Sequence, residues 1–129
     1  MIELIRRDAS TLFLQFDEAG NQALLQAFET AQQNHPTGLV FLLDGAVLKQ
    51  KKHAKLTIPV RIELDDTVDG SALLWEENAI VWRLDRESAE MGYERFVESQ
   101  RLGYFAPAEC MRIQVEKSRK LDYLFCERV

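Results

Sequence analysis

Leu12-Phe13-Leu14-Gln15-Phe16-Asp17 and Ile80-Val81-Trp82-Arg83-Leu84-Asp85 carry one pattern, repeated about 68 positions apart. Alternating apolar residues mark one face of a strand. The aspartate ending each run can cap a helix by accepting hydrogen bonds from its unpaired first-turn amides. Phe28 and Phe96 keep the same offset inside the two segments that follow. Working outward from these runs, each half reads hairpin, helix, two strands.

In the first half, apolar runs at 2–6 and 11–16 predict a hairpin across Arg7-Asp8-Ala9-Ser10. Leu24, Phe28 and Ala31, widened by Ala23 and Ala27, form a helical stripe running to about Asn34. His35-Pro36 ends it, because proline disfavours helical geometry in the residue before it. The run Gly38–Leu43 predicts a strand buried on both faces. Leu56, Ile58, Val60, Ile62 and Leu64 alternate with polar residues and Pro59, which predicts an edge or bulged strand because proline cannot donate to a ladder.

The loop Asp65–Gly70 separates pseudo-halves 1–66 and 67–129 of what reads as a single domain. Strands at 72–75 and 79–84 follow, joined by a tight turn at Glu77-Asn78. Asp85 caps a second helix whose inner face is read as Ala89, Tyr93, Phe96, Val97 and Gln100. Gly103 is placed to end it in the left-handed conformation, and Pro107 prevents continuation. Met111, Ile113 and Val115 alternate in one more strand, residues 117–120 turn the chain, and Leu121–Cys126 closes it. The expectation is an α+β fold. It has a largely antiparallel sheet, or two sheets, of about eight strands, with two helices packed on one face. Leu24, Phe28, Trp82, Tyr93 and Phe96 belong in or near the core.

Composition narrows function. A chain of 129 residues with 47% hydrophobic content can build a core without disulfides. No apolar stretch approaches the ~20 residues of a membrane-spanning helix, and the start lacks the features of a secretory signal, so the chain reads as cytoplasmic. Cys110 and Cys126 lie in two predicted strands and could be neighbours. In a reducing compartment they are read as buried thiols. The net charge of −5 and pI of about 5.1 disfavour nucleic acid as a general partner and suit a basic protein partner.

Motifs for chemistry are sparse. The histidines, His35 and His53, fall at a helix end and in a lysine-rich loop. No zinc spacing, nucleophile elbow or phosphate-binding glycine loop occurs. No cofactor, metal or catalytic residue is therefore assigned. Asp65, Asp66 and Asp69 lack the alternating spacing of a calcium loop. Glu90, Glu94 and Glu98 share a helix face, with Arg86, Arg95 and Arg101 near enough to offset them. These six acidic residues are the candidate partner-binding surface. Lys49, Lys51, Lys52, His53 and Lys55 form the opposite pole, without the interleaved aromatics on which bases stack.

The stretch Leu12-Phe13-Leu14-Gln15-Phe16-Asp17-Glu18-Ala19-Gly20, followed by Leu24-Leu25, resembles the strand–Asp-x-x-Gly–helix opening of some small bacterial immunity proteins. The resemblance implies a non-enzymatic module that binds and blocks a toxin domain. A small enzyme or ligand-binding domain is the alternative. Its cavity would be lined by Trp75, Trp82, Tyr93, Tyr104 and Phe105, with Tyr93 or Glu94 as acid or base. Either reading admits a homodimer paired through the strand Leu56–Leu64.

Overall fold

The computed structural model describes residues 1–44, 55–116 and 120–129. Lys49, Lys51, Lys52, His53 and residues 117–119 lie outside the described residues. The elements are β1 (Ile2–Asp8), β2 (Thr11–Phe16), α1 (Glu18–Gln32), β3 (Leu39–Leu43), β4 (Leu56–Leu64), β5 (Ser71–Glu76), β6 (Ala79–Leu84), α2 (Arg86–Leu102), β7 (Glu109–Val115) and β8 (Leu121–Arg128). This is the expected double β-β-α-β-β order.

The sheet departs from expectation in how it joins. It closes into an eight-stranded barrel with neighbours in the order β1-β2-β8-β7-β5-β6-β4-β3. Each of the hairpins β1·β2, β3·β4, β5·β6 and β7·β8 is antiparallel. The contacts that join the hairpins, β1·β3, β2·β8, β4·β6 and β5·β7, are all parallel. The sheet is therefore mixed, not largely antiparallel. Exchanging the two halves maps every one of these pairs onto another, so the barrel carries a pseudo-two-fold axis. Leu4, Leu14, Phe41 and Val60 correspond to Leu73, Trp82, Ile113 and Leu124.

Closure removes part of the predicted edge. From Val60 to Leu64 β4 lies between β3 and β6 and offers no free edge for a homodimer, while Leu56–Pro59 pairs with β3 alone. Pro59 marks where its pairing to β6 stops: the shared ladder starts at Val60, the first residue past the ring that cannot donate. β3 is likewise not buried on both faces. Val40 is 56% exposed, because a barrel turns one face of every strand outward.

The registers also place the helices. Every odd strand starts, and every even strand ends, at the same rim, and each helix links an even strand to the next odd one. Both helices therefore sit at that rim instead of covering a sheet face. There they pack on each other and push aromatic rings into the barrel mouth. Phe28 meets Trp82 edge-on at 5.3 Å and Phe96 at 5.1 Å, while Phe96 and Phe105 pack on Phe16. Deeper in, Leu4, Leu14, Phe41, Leu73, Trp82, Ile113 and Leu124 leave no volume that a water molecule could occupy. Eight strands enclose only enough room for their own side chains, and here they fill it. Trp82 donates its indole N–H to Ser71 at 3.0 Å, so the one polar atom of the ring is satisfied in the core.

The caps follow the sequence. Asp17 accepts from the Gly20 N–H and Asp85 from the Ser88 N–H, each at 2.8 Å. Gly103, at φ 82°, ends α2 in the left-handed region where a side chain would be strained. The inner face of α2 differs from the predicted stripe. Val97 is exposed, Gln100 is largely exposed but accepts from Asn21 of α1 at 2.9 Å, Tyr93 is half-buried, and Ser88, Gly92 and Ser99 are buried beside Ala89 and Phe96.

Candidate interaction surfaces

The six acidic candidates lie at the helix rim. The loop 65–70 joins β4 to β5 there, and it is tied to the start of α2. Gly70 donates its N–H to Asp85 Oδ2 at 2.9 Å, and Asp85 donates its own N–H to the Gly70 carbonyl at 2.9 Å. One aspartate thus caps α2 and anchors the acidic loop. Burial pushes the Asp85 carboxyl up, but the Ser88 hydroxyl and the Ser88 and Gly70 amides outweigh it and hold the group below its ordinary value.

The candidates do not contribute equally. Asp65 is occupied within its loop: it accepts from the Thr67 hydroxyl and N–H and lies 3.7 Å from Arg83. Those Thr67 donors lower its pKa. Glu98 is paired with Arg101, which lowers its pKa in turn. Asp66, Asp69, Glu90 and Glu94 are exposed. Arg95, which the sequence places among the offsetting cations, donates to the backbone carbonyl of Cys110 at 3.0 Å and to that of Glu109, so its charge is turned toward the start of β7. Glu87, exposed in the first turn of α2, adds to the acidic rim and was not among the six.

At the opposite rim the two halves differ in kind. Arg6 and Asp122 point inward and pair at 3.0 Å, with Asp122 almost fully enclosed. Arg6 also donates to the Asp8 carbonyl at 3.3 Å, which ties down the β1–β2 turn. The equivalent positions across the pseudo-axis hold Trp75 and Ile58. These two border a cleft of about 670 Å³ between β4 and the β5–β6 turn, with Pro59 and Asn78 among its lining. A second cleft of about 310 Å³ lies between the end of α1 and β4, lined by His35, Arg61 and Glu63 among others.

The five aromatics proposed for a ligand cavity do not gather around one. Trp82 fills the barrel interior, Phe105 packs on Phe16 and Phe96, Tyr93 is half-buried against the core, Tyr104 is 55% exposed, and Trp75 borders the outer cleft. Cys110 and Cys126 are neighbours, both buried, beside the break in the β7·β8 register. Burial pushes the Cys126 thiol well up. Among the described residues no group of His, Cys, Asp and Glu is arranged to hold a metal ion. Neither helix is long and apolar enough to cross a membrane.

No family model matches the chain, and neither the curated proteins nor the solved structures contain a match to it.

Proposed function

We propose that the protein is a non-enzymatic binding module of the immunity type, which docks a basic toxin domain on its acidic helix rim and blocks it. The observation that carries this reading is the convergence of two acidic segments, distant in sequence, through the Gly70–Asp85 hydrogen bonds. Of the nearby arginines, Arg83 is paired with Glu63 and Asp65, Arg95 with backbone carbonyls and Arg101 with Glu98, while Arg86 stands exposed in the first turn of α2. Asp66, Asp69, Glu90 and Glu94 are left facing outward. A field of one sign accelerates encounter with a basic partner and weakens with salt. The packed barrel interior supports a role exercised from the exterior.

The test is affinity capture from native lysate, with the stoichiometry of the recovered complex read by native mass spectrometry. A single basic partner at 1:1, absent when Asp66, Asp69, Glu90 and Glu94 are all changed to lysine, supports the reading. Equal capture by both forms refutes it. The ligand-binding alternative keeps one observation in its favour, the cleft beside Trp75. Small-molecule binding there would shift Trp75 fluorescence and leave the acidic variant unaffected.

A further inference from the structure

The outer wall of the barrel is treated differently in the two halves. On β4, β5 and β6 it is covered by an ionic ladder. Arg61 reaches Glu63 at 2.7 Å and Glu76 at 2.8 Å, and Arg83 reaches Glu63 at 3.5 Å. Arg61 is the register partner of Val81, which is only 1% exposed although it points outward.

The pseudo-two-fold mates of Leu74, Val81 and Arg61 are Ile5, Phe13 and Phe125. Here the bridging arginine is replaced by a ring. Phe13 and Phe125 stack at 5.4 Å across β2 and β8, and Ile5 is the register partner of Phe13 on β1. All three are half-buried. Tyr123, 36% exposed, extends the strip toward the turn end of the barrel.

The charges around this strip are polar along the strands. Toward the turns stand Arg7, over the Phe13 ring at 4.9 Å, and Arg112, over the Tyr123 ring at 5.2 Å. Toward the helix rim stand Glu3, paired with Lys55 at 2.7 Å, and Glu127, which accepts from Gln15 at 3.0 Å. Glu109 lies level with Phe125.

We infer that this wall is a self-association face, and that its occupant is a second copy of the chain. A two-fold axis in the plane of contact, running across the strands, sets Phe13 on Phe13 and Phe125 on Phe125. The same operation lays the arginine end of each copy over the glutamate end of the other, so both charge contacts are attractive. The strip is four strands wide, about 15 Å at the usual strand spacing. Over about 13 Å of strand, from Tyr123 to Glu127, it makes a face of roughly 200 Å², well below the ~800 Å² per partner of a standard stable interface, so the dimer is weak and reversible.

Sedimentation velocity from about 1 to 500 μM covers the range in which such an interface dissociates. The weight-average mass is expected to rise toward that of a dimer with concentration, and Phe125→Ser to hold it at the monomer. Charge reversal gives the sharper reading. Arg112→Glu alone and Glu127→Arg alone each set like charges together twice and are expected to be monomeric. An equimolar mixture of the two restores both attractive contacts and is expected to dimerise like the unmodified chain. A monomer throughout the range, or a mixture no more associated than its components, overturns the inference. This test does not depend on the toxin-binding reading, which concerns the helix rim and not this wall.

Discussion

Gly92→Ala tests the helix packing most sharply, because two effects of known size oppose each other there. In an isolated helix the change stabilises by about 1 kcal/mol, through the lost backbone freedom of glycine. In this fold the new Cβ would lie 2.5 Å from Phe28 Cε2. Carbon atoms rest at about 3.5–4.0 Å, so the ring would have to retreat by about 1 Å. It has no room to do so, being held edge-on between Trp82 and Phe96. Overpacking of this kind costs about 1–3 kcal/mol, and the rigid contact argues for the upper half of that range. The net expectation is a loss of about 1–2 kcal/mol. For 129 residues, with an unfolding entropy of ~2.1 cal/mol/K per residue, that lowers Tm by about 4–7 °C. Urea unfolding followed by far-UV circular dichroism would measure it. The partner variant Phe28→Leu is destabilising alone, but adding Gly92→Ala to it should cost less than in the parent, a positive coupling between touching residues. A Gly92→Ala protein more stable than the parent would refute the close helix approach.

Further expectations concern the polar groups. Asp122→Ile should cost about 3 kcal/mol by urea unfolding, since it strands Arg6 in a largely enclosed position. Adding Arg6→Trp, which copies the Trp75 and Ile58 pair of the other half, should recover more than half of that loss; no recovery would contradict the pseudo-symmetry. Asp85→Asn should keep the cap but lose the charge. The folded-state pKa of Asp85 is depressed, so its contribution is complete above the unfolded value of about 3.9 and fades as pH falls through the folded value. The stability gap between parent and variant should therefore narrow steadily below about pH 4, and a gap unchanged down to pH 2 would count against the assignment. Ser71→Ala removes the hydroxyl that accepts from the Trp82 indole N–H and should cost about 1–3 kcal/mol, with a change in the near-UV signal of tryptophan.

Local order was readable from the residues, and long-range joining was not. Alternation and capping located the hairpins, both aspartate caps and the Gly103 stop, because each depends on a few adjacent residues. Alternation says which side chains share a face but not which strand lies alongside. The parallel seams β2·β8 and β4·β6 join opposite halves and leave no local trace, so closure of the barrel was hidden. The repeat faded after the helices for a related reason. The connection from α2 to Met111 is longer than that from α1 to Leu39, while the β7–β8 turn is much shorter than the β3–β4 connection.

The inner face of α2 was misread because Gly92, Ser88 and Ser99 carry no apolar signal, although all three are buried and Gly92 lies against Phe28 of α1. Asn21 belongs to the same group. It is fully enclosed in α1 and donates to the Phe96 carbonyl and Gln100 across the contact. Of the acidic candidates, the individual residues were visible as charge runs. Their meeting at one rim depends on Gly70 and Asp85, a contact that no spacing in the chain announces. The occupation of Asp65 and Glu98 by their own neighbours was equally out of view.

Hydrogen–deuterium exchange on the captured complex asks most directly where the protein works. Protection gained in 65–70 and along the outer face of α2, from Arg86 to Glu98, is the result expected of an acidic docking rim. Protection confined to the turn end of the barrel around Trp75, with the helix rim exchanging as in the free protein, would contradict it.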